Sequence, residues 1–155
     1  MPSACPMTSL REEHKAMELL LTLMKQEQQH LIAADIDSLT ALTAQKTALV
    51  QQMAGLASAR HGALAAAGFP AREEGMDAWL AASGDATAAP LWTRVLAQTR
   101  EAKELNRVNG MLINKHMAHA QGALNAMRPA AQSGAIYGPS GQTTASPTSR
   151  RLVIG

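Results

Sequence analysis

The chain has 155 residues, enough for one domain with a core of its own. Its single Cys5 excludes an internal disulfide framework, aromatic residues make up only 3%, and no apolar run approaches the length of a membrane span. The net charge of +2 hides an asymmetry: all twelve acidic residues lie at or before Glu104, after which only Arg107, Lys115, Arg128, Arg150 and Arg151 are charged. Five cations with one tyrosine do not make a phosphate-tracking groove with stacking platforms, which sets nucleic acid aside as a partner.

Ser9-Leu10-Arg11-Glu12 fits a capping box and predicts a first helix over about residues 9–33. Leu10, Met17, Met24 and Leu31 repeat every seven residues, and Leu20 and Leu21 widen the stripe. Asp35-Ile36-Asp37-Ser38 supplies a break and an N-cap for a second helix over about 38–66. Its seam of Leu39, Leu42, Lys46, Leu49, Met53, Leu56 and Arg60 keeps strict a/d spacing. Lys46 and Arg60 interrupt that seam and read as packing their stems while their heads reach solvent. Gly68-Phe69-Pro70 ends the helix, and residues 71–90 read as irregular with a short helical turn at 76–80. Pro90 opens the last helix and Pro129 closes it, giving about 90–127, roughly 55 Å in length. Its C-terminal end is expected either to project beyond the bundle or to lie on it as a loose flap. The fold expected is all-α: an elongated antiparallel helical bundle or coiled coil of three long helices plus a short connecting one over 1–128. Gly, Pro, Ser, Thr and Gln dominate 129–155, which reads as a disordered C-terminal tail.

The last helix breaks local rules at one place. Trp92, Val95, Thr99, Ala102, Asn106, Asn109, Ile113, His116, Ala120, Ala123 and Met127 share one side at alternating steps of three and four. Asn106, Asn109 and Gly110 sit in its middle. An interior glycine costs about 1 kcal/mol relative to alanine, and an unpaired buried amide about 1–3 kcal/mol. Such a breach marks a functional or register-setting site. Asn106 is read as fixing register, and Asn109 as meeting a polar step in a partner.

Catalytic chemistry is not visible. Glu27-x-x-His30 matches half of a di-iron helix motif and has no second copy. His116 and His119 lie at i and i+3 with no carboxylate or thiol following Glu104 to complete a metal site. No phosphate loop, nucleophile elbow or acid–base pair assembles. The chain reads as no enzyme, with no metal and no cofactor.

The ordered set of Glu27, Leu31, Asp35-Ile36-Asp37, Leu39, Leu42, Lys46-x-x-Leu49, Trp92 and Asn106-x-x-Asn109-Gly110-x-Leu112-Ile113 resembles the FlgN family of flagellar export chaperones. Gln121-x-Ala123-Leu124 continues the match, as do Tyr137-Gly138-x-x-Gly141-Gln142-Thr143 and the basic pair before Leu152-Val153-Ile154. The resemblance implies a cytoplasmic type III secretion chaperone. Its members bind the C-terminal amphipathic helix of hook–filament junction proteins, prevent premature assembly and deliver them to the flagellar export gate. Helix-in-groove recognition places that client on Asn109, Gly110, Leu112, Ile113, Ala120, Leu124 and Met127. Tyr137, with Arg150 and Arg151, is assigned to docking on the export gate. A coiled-coil adaptor pairing chains through the Leu39–Leu56 seam stays open as an alternative, as do a weak homodimer and a sensor with a small ligand or metal around His116 and His119.

Overall fold

A computed structural model describes residues 5–128, together with the backbone pairing of 136–137 with 143–144. Four helices follow in order: α1 (Pro6–Ala33), α2 (Ile36–Ala66), α3 (Glu73–Ser83) and α4 (Ala88–Met127). The fold class is all-α, as expected. Two compact units divide the chain, Met1–Asn114 and Lys115–Gly155.

The helix ends refine the boundaries read from sequence. Helix α1 starts at Pro6, three residues before the supposed capping box, with Cys5 at the N-cap and no side-chain cap. Proline's fixed φ suits the first helical turn and its missing N–H is harmless there, so the start needs no capping hydroxyl. The early start lets Met7 join Leu10 in the core. Ala34 closes α1 in the left-handed region at φ 54°, while the Asp35 N–H donates to the His30 carbonyl at 2.9 Å. That is a Schellman ending with alanine where glycine is the usual residue. Asp35 rather than Ser38 then caps α2: its carboxylate accepts from the Ser38 N–H at 3.2 Å and the Ser38 hydroxyl at 2.6 Å. These bonds hold the Asp35 carboxyl below the usual range.

Residues 73–83, read as irregular around one turn at 76–80, form the full helix α3. Its first turn carries Glu73 and Glu74, which suit the positive end of the helix dipole. Gly75 is required there, because a Cβ would fall 2.0 Å from the Pro70 carbonyl oxygen. Close approach at that glycine carries Met76 into full burial.

In the first unit α1 and α2 run antiparallel, with Glu13 against Arg60 and Glu27 against Lys46. Helix α4 runs parallel to α1, as His14 bonds Gln98 and Asn109 bonds Glu27. Two apolar clusters fill the space between them. Met7, Leu10, Leu64, Met76, Ala88, Trp92 and Val95 form one; Ala16, Met17, Leu20, Leu21, Met24, Leu49 and Ala102 form the other. The α2 seam is closed within the chain, since Leu42, Leu49 and Arg60 are buried and Leu39, Lys46, Met53 and Leu56 half-buried. The seam is thus used mainly within the chain.

The second unit holds the end of α4 and a two-residue antiparallel pair, Ile136 against Thr144 and Tyr137 against Thr143. The expectation of a disordered tail otherwise lies outside the described residues. Among the described residues no helix is long and apolar enough to cross a membrane.

Candidate functional site

Helix α1 carries its own interrupted seam. Leu10, Glu13, Met17, Leu20, Met24, Glu27 and Leu31 alternate at steps of three and four, and all seven are buried. Glu13 and Glu27 lie two heptads apart, as do Arg60 and Lys46, and on α4 Trp92 and Asn106. Antiparallel pairing of α1 with α2 therefore sets each acidic interruption opposite a basic one, producing two polar rungs between apolar layers.

At the first rung Arg60 is 3% exposed. Its Nε donates to both Glu13 oxygens at 3.0 and 3.1 Å, Nη2 donates to Glu73 Oε1 at 3.0 Å, and the guanidinium lies 4.7 Å from the Trp92 ring centre. The two carboxylates respond in opposite directions. Burial pushes Glu13 above its ordinary value, with Arg60 offsetting only part of that. Burial also acts to raise Glu73, but the half-exposed group is lowered because its bonds to Arg60 and His61 outweigh it. A cavity of about 370 Å³ lies beside this rung, walled by Met17, Met53, Ala57, Val95 and Leu96.

At the second rung Lys46 Nζ donates to Glu27 at 3.1 and 3.2 Å and to Asn106 Oδ1 at 3.4 Å. Asn109 is 1% exposed, and its Nδ2 donates to the Met24 carbonyl at 3.0 Å and Glu27 Oε1 at 2.8 Å. Three corrections follow. Neither Lys46 nor Arg60 sends its head into solvent, because each finds a carboxylate on α1. Asn109, not Asn106, makes the buried register-setting bonds. The Asn109 Nδ2 donor is spent on α1 and is not presented to a partner. Sequence reasoning did not place Glu13 and Glu27 on the buried seam of α1; the signal was their 14-residue spacing, matching that of Arg60 and Lys46.

Beyond Asn109 the same helix changes character. Gly110 and Leu112 are half-buried, a Cβ at Gly110 would meet nothing within 4 Å, and every residue from Ile113 to Arg128 is exposed. Met117, Ala120, Leu124 and Met127 follow at steps of three, four and three, so they share one side of the helix in the second unit. Met117 is 66% exposed, Leu124 60% and Met127 80%. Large apolar side chains left in water at helical spacing are the mark of a surface awaiting a partner. Of the seven residues assigned to a client, Ile113, Ala120, Leu124 and Met127 are thus presented to solvent and Asn109 is not. His116 and His119 are exposed, and among the described residues no group of three or more His, Cys, Asp or Glu is placed to hold a metal ion. The Tyr137 side chain, Arg150 and Arg151 lie outside the described residues.

A family model described as FlgN protein matches residues 4–145 of this chain. No curated protein and no solved structure matches it.

Proposed function

The chain belongs to the FlgN family, and from that premise we propose that α4 seats the C-terminal amphipathic helix of a hook–filament junction protein. Family membership makes it, in general terms, a flagellar export chaperone that binds flagellar export substrates, in a family of chaperones rather than enzymes. The finer reading is that it holds such a client in the cytoplasm, blocks its premature assembly and hands it to the export gate.

One observation carries this reading: the apolar stripe of Met117, Ala120, Leu124 and Met127 stands uncovered on the same helix that buries Trp92, Val95, Ala102 and Asn109. A client's terminal helix, apolar on one face, would coil with its neighbours if left free. Seating it here removes that face from water, at about 0.8 kcal/mol for each CH₂ buried. Several such side chains leave a surplus over the ordering cost of association. Methionines suit a seat that serves clients of differing shape. Tyr137, Arg150 and Arg151 belong to the separate contact with the gate, where an amphipathic ring and two cations can dock without disturbing the seat.

Co-purification of the full chain with flagellar proteins from a flagellated cell tests the reading. Wild type should retain junction proteins and Leu124→Asp should lose them, both variants melting at the same temperature. Retention by the Asp variant would move the client elsewhere.

A further inference from the structure

We propose that the cavity beside the first rung binds a small monoanionic amphiphile, an unbranched apolar chain with one carboxylate, and that this site is separate from the seat on α4. All of its lining residues belong to the first unit. Lys46 meets Asn106 at one rung and Arg60 meets Trp92 at the other, so antiparallel α2 and α4 set Met53 level with Thr99 and Ala57 level with Val95. Ala57 and Thr99 are small where this layer needs bulk, and a cavity of about 370 Å³ is left between the rungs. A close-packed interior does not leave such a space, and pockets of about 300–1,000 Å³ are the ones that hold small molecules.

The walls favour an apolar chain. Met17 and Val95 are buried and Met53, Ala57 and Leu96 half-buried, and the two methionines can adapt to what lies against them. Trp92, Leu96, Thr99 and Lys103 follow at steps of four, three and four, so one face of α4 lines the cavity for roughly 16 Å. That is an elongated slot, better matched by an extended chain than by a compact ring. The charges fix the head. Glu13, Arg60 and Glu73 also line the cavity, but they are bonded to one another at the Trp92 end. Lys103, at the other end, is exposed and has no partner among the described residues. A carboxylate there gains a cation that folding leaves unpaired, whereas a cationic head meets repulsion.

The test titrates the full chain with decanoate and decylammonium, below their micellar concentrations, and follows tryptophan fluorescence. A Trp79→Phe background leaves Trp92 as the only tryptophan. Decanoate should shift Trp92 emission saturably and bind on the order of fivefold more tightly than decylammonium. Lys103→Glu should reverse that order. Ala57→Phe, and the smaller Ala57→Leu, should fill the slot and remove binding while holding or raising the melting temperature. Leu124→Asp should leave binding unchanged. Equal affinities that Lys103→Glu does not move overturn the anionic class. Binding that survives in a folded Ala57 variant, or that Leu124→Asp removes, overturns the cavity as its place. No saturable shift of Trp92 emission overturns the site itself.

Discussion

One helix face of α4 is largely dry from Trp92 to Asn109, Asn106 being exposed, and wet from Met117 to Met127, although both halves carry apolar residues at the same spacing. The dry half is bonded to α1 and α2 through two polar rungs, and its energetics belong to folding. The wet half has nothing comparable: Met117, Leu124 and Met127 stay mostly exposed when the chain folds. A heptad pattern therefore measures how much apolar surface a helix offers, and the position of the neighbouring helices decides whether folding or binding uses it. Substitutions in the dry half should move stability and leave the seat's chemistry alone; those in the wet half should do the reverse.

The largest effect is expected at the first rung. Arg60→Met strands Glu13 in the core and should cost about 3–5 kcal/mol in denaturant unfolding, as breaking a buried ion pair does. A loss below about 1 kcal/mol would mean that water reaches Glu13. Asn109→Ala comes next, at about 1–3 kcal/mol, because it removes two donated hydrogen bonds from a buried site. If Asn109→Ala instead leaves melting unchanged but abolishes client binding, the division between dry and wet halves is misplaced.

Two smaller changes sharpen the comparison from elsewhere in the first unit. Ala34→Gly relieves a left-handed alanine and should stabilise the chain by about 1 kcal/mol without altering client affinity. Glu73→Gln should destabilise by less than about 1 kcal/mol at neutral pH, since the group is half exposed. Its folded pKa is lowered, so its contribution is present above the ordinary carboxylate value and disappears as pH falls through the folded one. Wild type and Glu73→Gln should therefore converge in acid, which a pair of melting curves against pH would check. Glu13, with a raised pKa, acts in the opposite sense and works against stability as pH rises through the carboxylate range.

Much of the architecture was legible in the sequence because seams at seven-residue spacing name both the helix and its buried face. Leu10, Met17, Met24 and Leu31 were read as core and are core; Leu42 and Leu49 likewise. Helix α3 was legible only as a short turn at 76–80, since it spans just Glu73–Ser83, holds a glycine in its first turn, and forms because Met76 and Gly75 fit against the rest. The start of α1 was misplaced because a capping box at Ser9 outweighed a proline that needs no cap. Lys46 and Arg60 were misread for a different reason. A charge on one seam has no meaning until the opposing seam is aligned with it, and Glu13 and Glu27 had not been placed on α1's buried face. Asn109 shows the same limit: the sequence flags a polar residue on an apolar face, but only the partner carbonyl of Met24 tells which way its amide is spent. For the seat, spacing gave the stripe, whereas its exposure could not be read from spacing alone.

Hydrogen exchange along α4, free and with a junction-protein client bound, tests the central claim most directly. Amides from Trp92 to Asn109 should be protected in both states, while those from Lys115 to Met127 should exchange quickly when free and slow markedly in the complex. New protection spread over α1, α2 and α3, with residues 115–127 unchanged, would contradict the account.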